Sequence, residues 1–306
     1  MKCHNSHAFE KEMSDDLHIL ETGSKFGQHH VVRLIGRGGM GEVYEVTDEA
    51  GSAWAMKVLS RDMMDNPGAV ERFRREARVM SEMDHEGIVN VDSTGCFNGR
   101  HWLRMELATG CHVRGRQAVT LEDYFDANEC QLAEEEVKDL VNSMLNALEY
   151  AHGLGLVHRD LKPANVLFFG NQPKIADFGL VDAAGTEWME TQVRNSMVVS
   201  VIEETLLDTD SGSDGSRSKA LMGTFAYMSP EQKDGKKADA RSDLYAIGLM
   251  AREAITGVRT LGMERPTEIA KGIHPGWDEW MRRAVANDVA HRFKSAVEMR
   301  SGLSFS

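Results

Sequence analysis

The stretch Gly36-Arg37-Gly38-Gly39-Met40-Gly41-Glu42-Val43 is bounded on both sides by residues that alternate between apolar and polar, as a strand does. His29-His30-Val31-Val32-Arg33-Leu34-Ile35 leads in, and Glu42-Val43-Tyr44-Glu45-Val46 leads out to a turn at 48–51. Glycines at this spacing also suit a dinucleotide-binding fold, but there the loop must open a helix. Here a strand follows, so the chain is held to strand, glycine loop, strand. A third strand reads Ala53-Trp54-Ala55-Met56-Lys57-Val58-Leu59, and a later hairpin turns at Asn98-Gly99. Between them Asn66-Pro67 marks a helix start, with Asn as cap and Pro in the first turn. Val70, Phe73, Ala77 and Met80 then recur at helical spacing, and Glu76 interrupts that face.

Further along, the period becomes helical. From Ala133 to Gly153 the apolar residues Val137, Val141, Met144, Leu148 and Ala151 line one face of a long helix. Residues 110–119 carry Cys111, Arg114 and Arg116 and are expected to form a solvated loop.

At 306 residues with 42% apolar content, the chain has enough material for a real core in one large domain or two small ones. The formal net charge of −13 argues against affinity for nucleic acid or an anionic membrane, since phosphate surfaces reward Lys and Arg. Cys3, Cys96, Cys111 and Cys130 lie far apart without paired metal spacing, as reduced thiols in cytosol would. No stretch approaches the roughly 18 apolar residues of a membrane span, so the expectation is a soluble, cytoplasmic protein. Residues 1–25 read as a polar, solvated tail.

The run His158-Arg159-Asp160-Leu161-Lys162-Pro163-Ala164-Asn165 is followed, twelve residues beyond its Asn, by Asp177-Phe178-Gly179. Lys57 on the third strand, Glu76 on the helix and the late run Tyr227-Met228-Ser229-Pro230-Glu231 complete an ordered set. Singly, each residue reads as a cap, a turn or a surface charge. Together the set resembles the catalytic domain of the eukaryotic-like, bacterial Hanks-type serine/threonine protein kinases, from about Phe26 to Met299.

That resemblance implies an α+β, bilobal protein-kinase fold, with a small antiparallel β-sheet N-lobe carrying one helix and a larger, mostly helical C-lobe. The domain would span 26–303, with an N-lobe to about 106, a hinge at about 106–119, a C-lobe over about 120–303 and a long activation segment at 177–231. Asp243-Leu244-Tyr245-Ala246-Ile247-Gly248-Leu249 resembles the buried helix that anchors the catalytic loop, and Arg292 the partner of Glu231.

The resemblance also assigns roles. Asp160 would orient the substrate hydroxyl and accept its proton, and Lys162 would offset charge on the γ-phosphate. Asn165 and Asp177 would hold Mg²⁺, or Mn²⁺ in its place. Lys57, kept charged by Glu76, would hold the α and β phosphates of ATP. Gly36, Gly38 and Gly41 would let backbone approach the triphosphate without a Cβ in the way. Val43 and Ala55 would roof the adenine with Leu167 beneath it, Met105 would be the gatekeeper, and Glu106, Leu107 and Ala108 would offer backbone to the base.

Between about Ala183 and Ala220 the activation segment is long, acidic and rich in serine, with Asp208, Asp210 and Asp214 among Thr209, Ser211, Ser213, Ser216 and Ser218. A phosphate there could dock on Arg159, or the acidic residues could already stand in for it. Thr224 is expected to bond Asp160 and Lys162. The implied partner is a protein substrate carrying Ser or Thr, with room for self-association for trans-autophosphorylation. A pseudokinase scaffold is the alternative; it would be favoured by loss of Lys57, Asp160, Asn165 or Asp177, and all four are present.

Overall fold

The structure is a computed structural model that describes residues 19–38, 41–128, 131–178, 225–259, 262 and 264–305, apart from the side chains of Asp62, Arg72 and Glu76. The chain divides into two compact units, Met1–Met83 with Asn90–Leu107, and Asp84–Val89 with Ala108–Ser306.

The first unit is built on strands β1 (Lys25–Phe26), β2 (His29–Gly38), β3 (Gly41–Thr47) and β4 (Ala53–Leu59). Helices α1 (Arg61–Met64) and α2 (Pro67–Ser81) follow, then β5 (Val91–Phe97) and β6 (Arg100–Glu106). All pairings are antiparallel and the order is β1-β2-β3-β4-β6-β5. The alternation that marked the strands now has a cause, because Val31, Tyr44, Val46, Met56 and Val58 all face one buried cluster.

Asn66 caps α2 as its sequence predicts, its side-chain oxygen accepting the Ala69 N–H at 3.1 Å. The Asn98-Gly99 turn holds positive φ at both residues, 48° and 75°, the geometry a two-residue hairpin requires. The single turn of α1 is an addition to the one helix expected in this unit.

Of the polar, solvated tail expected over 1–25, residues 1–18 lie outside the described residues, and Ile19 and Leu20 are not solvated. Leu20 is buried in the same cluster, with Ile19 packed against it. The Ile19 N–H donates to Glu42 Oε2 at 2.7 Å and the Leu20 N–H to the Tyr44 hydroxyl at 2.9 Å. Tyr44 and Arg37 also bond Glu42. Burial alone would raise the Glu42 carboxyl, but the bonds from Tyr44, Ile19 and Arg37 bring it below the usual range. Two apolar residues in polar surroundings show no period, so only their contacts reveal the attachment.

In the second unit, residues 110–119 are an ordered hairpin and not a solvated loop. Strand β7 (Cys111–Val113) pairs with β8 (Arg116–Ala118), and the turn places Arg114 at φ 47° and Gly115 at 76°. Strands of three residues are too short to display alternation.

Helix α3 (Leu121–Ala127) starts at a reciprocal cap between Thr120 and Asp123, and α4 (Glu134–Gly153) buries Val137, Val141, Met144, Leu148 and Ala151 as their spacing predicts. Strands β9 (Val166–Phe169) and β10 (Gln172–Ile175) pair antiparallel, and the Phe168 N–H donates to Val119 O at 2.9 Å, tying β9 to the end of the β7–β8 hairpin.

Past the described gap come α5 (Pro230–Lys233) and α6 (Ala240–Thr256), in which every residue from Ser242 to Thr256 is buried. Helices α7 (Pro266–Ile269), α8 (Gly276–Ala284) and α9 (Ala296–Ser301) complete the unit. A Cβ on Gly248 would lie 2.7 Å from the Ala284 Cβ, so glycine is what permits α6 to approach α8. Among the described residues no helix is long and apolar enough to cross a membrane.

Candidate active site

The loop 158–165 is held from below by one carboxylate. Asp243 on α6 is 1% exposed, and its oxygens accept the N–H groups of His158 at 2.9 Å and Arg159 at 2.8 Å. The His152 ring on α4 meets the same carboxylate at 2.8 Å. Three partners around a desolvated anion fix the backbone far better than loop residues alone would. Arg159 then adopts φ 65°, a left-handed conformation that costs a non-glycine residue about 1–2 kcal/mol, and the Gln232 amide holds its carbonyl at 2.7 Å.

His158 is fully buried and ties this loop to the segment bearing Asp177. Its Nε2 faces the Ala176 carbonyl at 2.8 Å, while Nδ1 accepts the Asp160 N–H at 3.2 Å. A carbonyl only accepts, so the tautomer with hydrogen on Nε2 satisfies both contacts. The Ala176 N–H donates to Asn165 O at 2.8 Å, a second tie, and Phe178 packs on the His158 ring at 4.9 Å. Asp177 follows at φ 60°.

Above that base the expected residues converge. Lys162 Nζ lies 3.0 Å from Asp160 Oδ2 and 3.3 Å from Oδ1. Asn165 Nδ2 donates to the Asp160 carbonyl at 2.7 Å and approaches Oδ2 at 3.3 Å. Its nitrogen is thereby committed to the loop, which leaves Oδ1 as the amide atom not used in those contacts. Leu167, half-buried on β9, stands opposite Lys174 of β10.

In the first unit, Lys57 is 7% exposed on β4, between Val43 of β3 and Leu103 of β6. Ala55 sits opposite Met105, and both are buried. The Glu106 side chain has a structural task, since Oε1 accepts the Asn90 N–H at 2.7 Å.

The three loop glycines differ. A Cβ on Gly36 or Gly38 would meet nothing within 4 Å, whereas one on Gly41 would lie 2.0 Å from the Val58 carbonyl oxygen. Gly41 is therefore demanded by the packing of β3 on β4, in addition to any ligand. The side chain of Glu76, together with Gly179, Thr224 and the serines and threonines between 183 and 220, lies outside the described residues.

Several residues escape sequence reasoning. Ile35, just ahead of Gly36, is 40% exposed although large and apolar. Glu253 is fully buried on α6, bonded by the Tyr227 hydroxyl and by Arg259 Nε at 2.7 Å. Burial, then the Glu253 charge, holds the Tyr227 hydroxyl well above its ordinary range.

Arg292 clasps Glu231 with two bonds of 2.8 and 2.7 Å, and Ser242 adds a third at 2.6 Å. Burial would raise the Glu231 carboxyl, but Arg292 and Ser242 bring it down to about 2.

Residues 29–295 match the family model described as protein kinase domain. The chain is 32% identical to a probable serine/threonine-protein kinase of Streptomyces coelicolor over 295 residues, 90% of this chain and 39% of that protein. It is 28% identical to the serine/threonine-protein kinase PrkC of Bacillus subtilis, over 90% of this chain and 40% of that protein. The crystal structure of the Mycobacterium tuberculosis PknI kinase domain superposes with a TM-score of 0.64 at 27% identity, covering 93% of this chain and 98% of that one. The chain thus spans about two fifths of the length of these curated relatives.

Proposed function

Because this chain belongs to the protein kinase domain family, we propose that it transfers the γ-phosphoryl group of ATP to serine and threonine hydroxyls of protein substrates. The observation that carries this reading is Asp160, gripped by Lys162 and Asn165 on a loop whose backbone hangs from buried Asp243. Phosphoryl transfer asks little covalent work of a protein; it asks for alignment and for charge placed in advance.

Asp160 would align the hydroxyl with the phosphorus and take its proton late in the reaction. Lys162, already beside Asp160, would turn its ammonium to the γ-phosphate. Lys57 would hold the α and β phosphates with Glu76 as its partner. Gly36 and Gly38, which no contact among the described residues requires, would admit the triphosphate to the backbone. Val43, Ala55 and Leu167 would enclose the adenine, and Ile35 would add apolar cover. Met105 would limit the depth of the pocket, with Glu106 and Leu107 bonding the base through their backbone.

The donor set suits Mg²⁺. Asn165 Oδ1 and the Asp177 carboxylate are hard oxygens, and among the described residues no cluster of three or more His, Cys, Asp or Glu forms a cage of its own. Such a cation binds through one or two protein groups plus the phosphates, and when bound it neutralises charge on the transferred group.

Incubation with labelled ATP and Mg²⁺, beside Asp160→Asn, tests the proposal. Wild-type incorporation on serine and threonine, reduced at least about a hundredfold in the variant, is expected. Equal incorporation by the two proteins would sink the catalytic reading and leave the scaffold one.

A further inference from the structure

The glycine-bearing ends of β2 and β3 are joined by a side-chain contact that leads away from the loop to residues 19–20. Beyond an irregularity between Leu34 and Gly36, the two strands share three opposed pairs: Gly36 with Val43, Arg37 with Glu42, and Gly38 with Gly41. Glycine has no side chain to offer its partner, so Arg37 and Glu42 are the one pair there with a side chain on both strands. Arg37 Nε donates to Glu42 Oε1 at 2.6 Å, and a second guanidinium nitrogen stands 2.5 Å from the same oxygen.

The two strands are not equally supported. On its far side β3 is held by β4, through Gly41 with Leu59, Glu42 with Val58 and Val43 with Lys57. The far side of β2 faces β1, whose partners are His29 and His30 at the other end of the strand. Among the described residues, Gly36 and Gly38 therefore take their strand pairing from β3 alone. These are the two glycines read above as admitting the triphosphate, and Arg37 stands between them.

The contact lies on the reverse of the sheet from the nucleotide. Opposed residues share a face, so Glu42 lies with Val58, and Tyr44 with Met56, on the side that builds the buried cluster around Leu20. Val43 and Lys57 lie on the other side. Glu42 is 3% exposed, and its second oxygen, Oε2, accepts the Ile19 N–H at 2.7 Å and the Tyr44 hydroxyl. One carboxylate thus has one oxygen on the glycine loop and the other on the segment ahead of β1.

We propose that Glu42 is a positioning residue for ATP: through Arg37 it sets the 36–38 stem from behind, and through Ile19 it makes the segment ahead of β1 part of the same support. This rests on the reading of 36–43 as the loop that receives the triphosphate.

The test is the Kd of a fluorescent ATP analogue with Mg²⁺, measured on the full chain carrying Asp160→Asn so that turnover does not intervene. A fluorescent adenosine serves as the control without phosphates. Two single variants separate bracing from charge. Near a triphosphate, loss of a cation alone weakens binding, whereas loss of an anion alone tightens it. A brace predicts that R37Q and E42Q both weaken ATP binding, each about fivefold, and that the double variant R37Q/E42Q is little weaker than either. Ile19→Pro removes the N–H without touching a charge and should weaken binding about threefold. Adenosine affinity should stay within about twofold throughout, and circular dichroism should show every variant folded at the temperature of the assay. E42Q that binds ATP as tightly as the parent, or more tightly, would overturn the proposal. So would an equal loss for adenosine, the mark of general loosening. An Ile19→Pro chain with undiminished affinity would overturn the part given to the leading segment. ATP binding without any transfer by the unaltered chain would sink the transfer reading alone, and no nucleotide binding at all would overturn both.

Discussion

Replacing Glu231 by Gln keeps the shape of a buried side chain and removes its charge, so the loss reports the worth of the Arg292 clasp. Two routes give its size. Glu231 titrates at about 2 in the fold against about 4.3 in an open chain, a difference worth roughly 3 kcal/mol. Breaking a buried ion pair from one side costs about 3–5 kcal/mol. The lower end applies here, because Arg292 keeps a bond to Ala286 O at 2.7 Å and a Gln amide oxygen can still accept from it.

The pH dependence has a definite sign. A depressed carboxyl contributes fully above its unfolded value and loses that contribution as the pH falls through the folded one. The gap between wild type and E231Q in chemical denaturation should therefore be about 3 kcal/mol near neutrality and shrink to roughly 2 kcal/mol by about pH 3.5. A gap below about 1 kcal/mol at neutrality, or one that does not move with pH, would refute the reasoning.

Gly41→Ala must displace the Val58 carbonyl and should cost about 1–3 kcal/mol of stability in a thermal melt, whereas Gly38→Ala should melt within about 0.5 kcal/mol of wild type and show its effect in KM for ATP. Asp243→Asn puts an amide where two backbone N–H groups expect an acceptor, so steady-state kinetics should show kcat falling at least about tenfold with KM for ATP little changed. Arg259→Ala removes one of the two described partners of the buried Glu253, the other being Tyr227; a loss of about 1–3 kcal/mol in urea denaturation is expected. Matching values for wild type and R259A would mean that the exposed arginine contributes nothing to Glu253.

What could be read from the residues is what repeats locally. The strands around the glycine loop, the cap at Asn66, the turn at Asn98-Gly99 and the buried face of α4 each follow from short-range pattern, and each is present. The pairing of Glu231 with Arg292 was legible only through resemblance, since 61 residues separate the two. Ties of similar reach without a motif were not legible at all. The clasp of Arg259 on Glu253 and the return of His158 to Ala176 depend on which surfaces meet. The β7–β8 hairpin was missed for the opposite reason, being local but too short to show a period.

The contacts of Ile19 and Leu20 bear on where this unit may be cut. A recombinant form started at Phe26, where the motifs begin, would keep every strand after β1 and still damage the sheet. It would strip one donor from Glu42 and another from Tyr44, and uncover the edge of the Val31 and Met56 cluster. A stable fragment must therefore reach back at least to Ile19, several residues before the first recognisable strand, because buried oxygens of Glu42 and Tyr44 take hydrogens there. A fragment begun at Ile19 that melts clearly above one begun at Phe26 would show the contribution of these two residues directly.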